Sequence, residues 1–504
     1  MGGKQIRYLG AFLTLCYVAL FVQLNWITVF DAKDLQTKPG NTRKEEREFA
    51  QPRGTISTSD GVLLARSVDS NDRFELQREY PSETAELFAH VTGYFSFTLG
   101  SAGVEETYDD ELRGEDLGLS LQTLNDFFVD EDRIGNLTLT LRNDVQQVAK
   151  DALGEQEGSV VALDPQTGEI LALWSYPSYD PNQLATHDTA AATLAATALD
   201  QNPEKPRLAR TYQERFAPGS TFKVVTASAG IESGNVTPDQ PDYPQSRGYE
   251  APGNAAPIGN FGGEICGGTL FEVLAVSCNS AFSQMGVEDA TPEGMVETAH
   301  GYGFDQDVPI DLPGAIQSIY PDDDTDKGLT ALRAIGQEDV AATPLQMALV
   351  ASAVANGGEI MRPHVLKEIR DGDGEVVKSY DQRGWTDAIS PGTANLLREA
   401  MIGVVQDGTA ERLDDALPGF EVGGKTGTAQ LGTDPPRSHA WIIGFAGPPD
   451  GDPEVVVAVI VQGTEGSDDE ATGGRVAAPI ASQVMAAALA EPQSAEQDSN
   501  EAGG

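Results

Sequence analysis

Residues 216–230 read FAPGSTFKVVTASAG, in which a Pro-Gly turn leads into a serine, a lysine and an apolar run. The apolar run predicts a buried helix that begins near Ser220. Lys223 follows one helical turn later, so its amine can approach the Ser220 hydroxyl on the same helix face. Burial, a neighbouring cation and the positive end of the helix dipole would each lower the pKa of that lysine. The stretch therefore predicts a serine nucleophile with a lysine base, although an isolated Ser-x-x-Lys match also fits a solvated helix surface.

Two further motifs follow in order along the chain. SCNSAF places polar side chains on either side of a cysteine, and GGKTGTAQ places a lysine and two threonines in a strand-like run. Each motif alone also fits a turn, a helix cap or a strand end. The ordered set S-x-x-K, S-x-N and K-T-G is instead typical of one acyl-transfer site. The residues predicted for this site are Ser220, Lys223, Ser277, Asn279, Lys425, Thr426, Gly427 and Thr428.

The runs around these motifs predict an α+β fold. GSVVALD and EILALWSY, joined by PQTG, indicate a hairpin, and EVGGKTGTAQ, HAWIIGFAG and EVVVAVIVQG indicate three later strands. Helical patterns lie between, including TPLQMALVASAVANGG with Thr343 as its N-cap, and a final helix is expected near 477–489. Strands at both ends of a domain with helices between them favour one antiparallel sheet with helices on its faces.

The N-terminus carries a candidate membrane anchor. Residues 8–30 contain no charged side chain and would span roughly 33 Å as a helix, enough to cross a bilayer. The following sequence, ITVFDAKDL, offers no small-residue cleavage motif, which favours an uncleaved signal anchor over a signal peptide. We expect residues 1–7 to form a cytoplasmic tail and the chain after residue 30 to lie on the extracytoplasmic side of the cell membrane. The flanking lysines and arginines do not determine this orientation.

The length of 504 residues allows two or three domains, and the sequence pattern divides the chain after the anchor into two. Residues 31–140 form an N-terminal pedestal, in which QPRGTISTSDGVLLARSV indicates two short strands around a Asp60-Gly61 turn. Residues 141–490 form the second domain, since the pattern changes from strand alternation to helical periodicity near Arg142. The polar tail 491–504 is expected to be disordered.

Charge and cysteine content exclude several classes of function. The formal net charge is −45, from 78 acidic residues against 33 lysines and arginines, and it would repel nucleic acid. The five histidines are scattered and no CxxC occurs, so no metal site is expected. In an oxidising compartment Cys266 and Cys278 would form a disulfide, with two unpaired thiols as the alternative.

With these motifs in place, the chain resembles a class B (monofunctional) penicillin-binding protein over nearly its whole length. PRGTI and GVEETYDDELRG resemble the family's anchored pedestal, which has a dimerisation-like fold. RTYQERFAPGSTFKVVTA, IGQEDVAATPLQMALVASAVANGGEIMRPH, GGKTGTAQ and SHAWIIGFAG resemble its transpeptidase domain. The SCN form and compact length are most similar to the actinobacterial PbpA branch, which is associated with septal wall synthesis in division.

The resemblance implies a role for each acyl-transfer residue. Ser220 would attack the penultimate D-alanine carbonyl of a peptidoglycan stem peptide, with Lys223 as its base. Ser277 would relay protons to the leaving amine, and Asn279 would orient Lys223 and bind the substrate amide.

Recognition of the substrate terminus is implied for the third motif. Lys425 and Thr426 would bind the terminal carboxylate, and the backbone N–H groups of Ser220 and Thr428 would form the oxyanion hole. β-Lactams would acylate the same serine, and no cofactor would be needed. Implied partners are a polytopic glycan polymerase and other division or elongation proteins.

The pedestal offers one expected ion pair, between Arg53 and Glu105, which would brace the two domains. Other functions on the same fold remain open at this point. A D,D-carboxypeptidase differs only in using water as the acceptor, and a β-lactamase would need a deacylation base. A non-enzymatic scaffold or sensor that binds β-lactam or muropeptide is the alternative of a different class.

Overall fold

A computed structural model describes residues 3–29, 49–114, 134–254, 256–322, 326–430, 437–465 and 472–491. The chain divides into two compact units, Met1–Pro52 with Val68–Gln77, and Arg53–Ser67 with Arg78–Gly504. Residues 31–48, at the start of the predicted pedestal, and nearly all of the predicted tail 491–504 lie outside the described residues.

The first unit contains the helix Gly3–Val29. This helix overlaps the predicted anchor 8–30, and its large apolar side chains between Tyr8 and Val22 are exposed, Tyr8 by 76% and Tyr17 by 78%. Over the described ranges, no helix reaches the combination of length and hydropathy that crossing a bilayer requires. Membrane anchoring therefore stays a prediction.

The remaining elements follow in chain order. The α-helices are Ala85–Thr92, Val104–Thr107, Asp109–Arg113, Asn143–Leu153, Asn182–Ala185, Thr189–Gln201, Arg210–Gln213, Lys223–Glu232, Leu270–Ala275, Asn279–Gln284, Pro292–Gly301, Lys327–Arg333, Pro344–Ala355, Pro391–Asp407 and Gly473–Leu489. The strands are Ile56–Ser57, Leu63–Asp69, Leu76–Glu79, Phe95–Ser96, Gly100–Ser101, Asn136–Leu139, Gly158–Leu163, Ile170–Tyr176, Tyr243–Ser246, Gly248–Tyr249, Ile258–Gly259, Cys266–Gly268, Glu359–Met361, Leu366–Arg370, Val376–Ser379, Gly384–Asp387, Glu421–Gln430, Arg437–Gly447 and Val455–Glu465.

Five of these strands form what we call the central sheet. It is antiparallel throughout, and the strand Glu421–Gln430 lies at one edge. The predicted hairpin supplies the other edge, and the last three predicted strands supply the rest. In spatial order the strands are Glu421–Gln430, Arg437–Gly447, Val455–Glu465, Gly158–Leu163 and Ile170–Tyr176. The predicted α+β fold is confirmed.

Helices pack on the central sheet and bury their apolar residues against it. Gly473–Leu489 and Asn143–Leu153 pack against each other and against the sheet. Pro344–Ala355 is buried at every position and also packs on the sheet. As predicted, it begins at Thr343, whose hydroxyl accepts the Gln346 N–H at 3.1 Å.

The predicted helix near Ser220 begins later than expected. Residues Gly219–Phe222 form a 3₁₀ turn, and the α-helix runs over Lys223–Glu232. The turn is closed by the Thr221 hydroxyl, which donates to the Pro218 carbonyl at 2.7 Å. This local bond competes with the α-helical pattern in the first turn. The apolar face that follows is buried, as predicted.

The pedestal is not made from residues 31–140 alone. Its sheet joins Ile56–Ser57 and Asn136–Leu139 to Leu366–Arg370 and Val376–Ser379. The last two strands lie inside the range predicted for the second domain. A boundary at 141 therefore describes the chain order but not the packing, because a hairpin far along the chain completes the pedestal sheet.

The predicted Arg53–Glu105 ion pair is present, but it does not bridge the two domains. Arg53 Nε lies 2.5 Å and Arg78 Nε 2.6 Å from the Glu105 carboxylate, which is fully buried. All three residues belong to the pedestal. Although burial raises the pKa of Glu105, the charges of Arg78 and Arg53 outweigh it and lower that pKa. A different contact joins the pedestal to the rest: the Tyr108 hydroxyl donates to Asp311 at 2.6 Å.

Candidate active site

The predicted catalytic residues meet in one cleft at the free edge of the central sheet. The cleft has a volume of about 410 Å³, and its lining includes Ser220, Ser277, Asn279 and Thr428. A larger cavity of about 990 Å³ lies elsewhere, at the C-terminal end of the helix Lys223–Glu232, and contains none of the predicted residues. We assign the chemistry to the smaller cleft because the motif side chains converge there.

Two glycines bring the serine turn against the edge strand. The Gly219 N–H donates to the Gly336 carbonyl at 3.0 Å, and both glycines have positive φ. A Cβ on Gly336 would lie 2.2 Å from the Gly219 oxygen, and one on Gly219 would lie 3.0 Å from the Thr428 oxygen. Only residues without side chains permit this approach. The turn therefore sets the Ser220 amide beside the edge-strand backbone.

Lys223 is completely buried and makes three polar contacts. Its Nζ lies 2.6 Å from the Ser277 carbonyl oxygen, 3.1 Å from Ser277 Oγ and 2.6 Å from Asn279 Oδ1. Asn279 is held in turn because its Nδ2 donates to the Gly259 carbonyl at 3.0 Å. Asn279 is therefore fixed beside the lysine amine, and its role in orienting that amine stays a prediction.

Ser277 stands between the two lysines. Lys425 Nζ donates to Ser277 Oγ at 2.9 Å and to the Thr426 carbonyl at 3.0 Å. A neutral lysine has two N–H donors and one lone pair. If Lys223 donates to the Ser277 carbonyl and to Asn279, its lone pair is free to accept the Ser277 hydroxyl proton. The contacts thus form a chain from Lys425 through Ser277 to Lys223.

The two lysines have different pKa values and can therefore carry different charges at the same pH. Burial, followed by the charge of Lys425, lowers the pKa of Lys223 well below its usual value. Burial alone lowers the pKa of Lys425 to about 7. Lys223 loses its proton first and then exerts no repulsion on Lys425. Near neutral pH the site can therefore hold a neutral base beside a cation.

The base and the nucleophile are not hydrogen-bonded to each other. Within the described part of the chain, Ser220 Oγ has no hydrogen-bond partner, and the Lys223 amine is occupied by Ser277 and Asn279. The sequence places the two residues one turn apart, but the structure directs the amine toward the second motif. Catalytic contacts of this kind commonly tighten only when substrate is bound.

The third motif lies on the edge strand Glu421–Gln430. Thr426 Oγ1 lies 2.6 Å from Thr409 Oγ1, a cleft residue that sequence reasoning missed. Gly427 packs so closely that an added Cβ would lie 2.9 Å from Thr221 Cγ2. Thr409 follows the helix Pro391–Asp407 and belongs to none of the three motifs, so no local pattern indicates it. Hydroxyls and a buried cation at this end can receive a carboxylate.

Another part of the cleft lining, which includes Asn260, is tied to the second motif. Cys266 and Cys278 form a disulfide. Asn260, also missed by sequence reasoning, accepts the Ser280 N–H at 2.8 Å and donates to the Ser246 carbonyl at 2.7 Å. Among the residues that the structure describes, no group of three or more His, Cys, Asp or Glu side chains could hold a metal ion.

The site and fold match known proteins. Residues 158–486 match the penicillin binding protein transpeptidase domain, and residues 53–137 match the penicillin binding protein A dimerisation domain. The chain therefore belongs to the penicillin-binding protein transpeptidase family, and within it to the class B proteins.

Its relatives include actinobacterial proteins. The chain is 38% identical to peptidoglycan D,D-transpeptidase PbpA of Mycolicibacterium smegmatis, over 97% of this chain and 99% of that protein. It is 37% identical to PbpA of Mycobacterium tuberculosis, over 96% of this chain and 99% of that protein. The ceftriaxone acyl-enzyme structure of penicillin-binding protein A from M. tuberculosis superposes with a TM-score of 0.80 at 37% identity, covering 88% of this chain and all of that one.

Proposed function

We propose that this protein is a serine D,D-transpeptidase that cross-links peptidoglycan stem peptides and is covalently inhibited by β-lactams. One observation carries the proposal: two fully buried lysines are joined by the Ser277 hydroxyl in the cleft that contains Ser220. A neutral amine supplies a base, and a fixed cation supplies a receptor for the carboxylate at a peptide terminus. The relatives named above act on peptidoglycan, and one is recorded as a β-lactam acyl-enzyme.

Acylation follows from these positions. As Ser220 Oγ attacks the penultimate D-alanine carbonyl carbon, its proton passes to neutral Lys223. The N–H groups of Ser220 and Thr428 donate to the oxyanion, and each such donor contributes about 3 kcal/mol. The proton then passes through Ser277 to the leaving nitrogen, the C–N bond breaks, and D-alanine departs. Ser220 remains esterified.

The second half of the reaction releases the product. An amine of a neighbouring stem peptide attacks the ester carbon, and the C–Oγ bond breaks. The proton lost by the attacking nitrogen returns to Ser220 Oγ through Lys223. For the first step, Thr426 and Thr428 line the end of the cleft suited to the donor carboxylate, and the buried Lys425 amine donates to the Thr426 carbonyl beside them.

A fluorescent penicillin tests the nucleophile. The wild-type protein should carry a covalent label that survives denaturation, and Ser220→Ala should carry none. A matched control, Ser233→Ala, removes a hydroxyl from the far end of the same helix region and should label normally. Persistent label on Ser220→Ala would refute the assignment. Incubation with a donor peptide and an amine acceptor then separates transpeptidation from D,D-carboxypeptidase or β-lactamase activity, which give only hydrolysed product.

We also propose that the helix Gly3–Val29 anchors the protein in the cell membrane by a single pass, with the catalytic domain on the extracytoplasmic side. The absence of charge over residues 8–30 and the exposure of the apolar side chains between Tyr8 and Val22 support it. A variant lacking residues 1–30 should leave the membrane fraction and still bind penicillin. Continued sedimentation with membranes would count against the anchor.

The finer role we propose is septal wall synthesis during division, beside a polytopic glycan polymerase. The likeness to the PbpA branch supports this role. Depletion of the protein should block septation and leave elongation intact, and the polymerase should be recovered with the full-length protein after crosslinking. Loss of elongation with normal septa would contradict it.

A further inference from the structure

One acidic side chain in the active-site cleft has no place in the acylation chemistry. Glu264 is the only charged residue among the described residues that line the cleft. Its side chain is exposed, and within the described part of the chain it has neither a hydrogen bond nor an ion pair. It therefore presents an uncompensated negative charge to whatever enters.

The loop that carries Glu264 is held from several directions. The Asn260 side chain donates to the Glu264 carbonyl at 3.0 Å, and Arg247 donates to the Gly263 carbonyl at 2.7 Å. Two residues later, Cys266 is bonded to Cys278 in the middle of the second catalytic motif. The backbone beside Glu264 is thus fixed to the same segment that carries Ser277. These contacts restrict where the Glu264 backbone can lie relative to the second motif.

The two substrates carry opposite charges and therefore need binding groups of opposite sign. The donor peptide ends in a carboxylate, for which the cleft has the buried cation of Lys425. The acceptor is an amine, which is a cation in water near neutral pH. A carboxylate attracts such a group, and the attraction depends on salt because the pair is exposed. Glu264 is the described lining residue whose charge suits this second substrate.

We propose that Glu264 binds the ammonium group of the amine acceptor and so favours aminolysis of the acyl-enzyme over hydrolysis. This inference rests on the proposed transpeptidase function. Glu264 acts here as an acceptor-binding residue. The bound ammonium first loses one proton to water, and the neutral amine then attacks the ester carbon while Lys223 passes the second proton to Ser220 Oγ. Acylation by the donor does not depend on Glu264.

The test compares Glu264→Gln with the wild-type full-length protein. The donor is a peptide ending in D-alanyl-D-alanine whose lysine amines are both acetylated, so that it carries no cation. The acceptors are glycinamide, which is cationic, and methanol, which is neutral. The ratio of acceptor product to hydrolysed product is measured against acceptor concentration. Glu250→Gln removes the same charge from an exposed position that does not line the cleft and serves as the matched control.

In Glu264→Gln the half-maximal glycinamide concentration should rise about three- to fivefold, the scale of an exposed ion pair. The methanol value should not change, and Glu250→Gln should behave as the wild type. Added salt should raise the wild-type glycinamide value toward that of the variant. An unchanged glycinamide value, or an equal change for methanol, would overturn the inference.

Two other outcomes would assign Glu264 differently. If Glu264→Gln slows hydrolysis of the penicillin acyl-enzyme, Glu264 activates water and the acceptor-binding inference is wrong. If Glu264→Gln slows acylation by the acetylated donor, Glu264 serves donor binding and the inference is again wrong. Failure of wild-type protein to form any acyl-enzyme would instead refute the proposed function itself.

Discussion

Removal of the Ser277 hydroxyl isolates the link between the two lysines. Ser277 has φ +58°, a left-handed conformation that is uncommon for residues other than glycine. Two variants therefore separate the hydroxyl from the backbone. Ser277→Ala removes the hydroxyl and keeps the Cβ, whereas Ser277→Gly removes the hydroxyl and also relieves the backbone strain.

The expected size of the effect follows from the two lost contacts, at 3.1 Å to Lys223 and 2.9 Å to Lys425. A hydrogen bond from a charged group contributes roughly 1.5–3 kcal/mol, and loss of a proton relay costs about 10²–10⁴-fold in rate. Both variants should therefore acylate at least about a hundredfold more slowly than the wild type. In stability, Ser277→Gly should exceed Ser277→Ala by about 1 kcal/mol, because glycine occupies a positive φ without steric cost.

Stopped-flow acylation by a chromogenic cephalosporin measures the rate constant, and urea unfolding measures the stability of each variant. Circular dichroism before mixing establishes that each variant is folded. Acylation within about threefold of wild type in Ser277→Gly would refute the proton path through the hydroxyl. A large loss in Ser277→Ala alone would show that the backbone geometry of the motif matters and that the hydroxyl does not.

Three further predictions test other parts of the structure. Because the pKa of Lys425 is about 7 in the free protein, the second-order acylation constant of a penicillin should fall as pH rises above about 7, and penicillin methyl ester should show no such fall. Glu105→Gln removes the buried negative charge that Arg53 and Arg78 share and should lower the free energy of unfolding by about 3–5 kcal/mol, measured by urea unfolding with Glu79→Gln at an exposed pair as control. Gly336→Ala would place a Cβ 2.2 Å from the carbonyl oxygen before the catalytic serine and should abolish penicillin labelling while the protein stays folded; normal labelling would contradict the close approach.

Much of the fold is readable from local pattern. The hairpin at residues 158–176 and the three final strands alternate or run apolar in the way that buried strands require, and the helix after Thr343 carries its cap and first-turn proline. These features depend on residues adjacent in the chain. The two strands at 366–379 show why the domain boundary did not follow. Leu366–Arg370 pairs with Asn136–Leu139, and this long-range contact is not encoded by any local pattern.

For the site as well, motif order predicts which residues belong together, and tertiary packing decides which of them are in contact. Motif order along the chain predicts Ser220, Ser277 and Lys425 as members of one site. It does not predict that the Lys223 amine is hydrogen-bonded to Ser277 and Asn279 and not to the Ser220 hydroxyl, because these contacts depend on the second motif packing beside the helix.

What the amino-acid sequence by itself determines here is the set of candidate acyl-transfer residues, the α+β class and the family, because each is expressed in short motifs and periodic runs. Only the tertiary structure decides which groups touch. Thr409 reaches Thr426, Asn260 holds the wall of the cleft, and Lys425 lies close enough to Lys223 to lower its pKa. The physical reason is that hydrogen bonding and charge interaction act over a few ångströms in space, whereas the residues concerned are separated by tens to hundreds of positions along the chain.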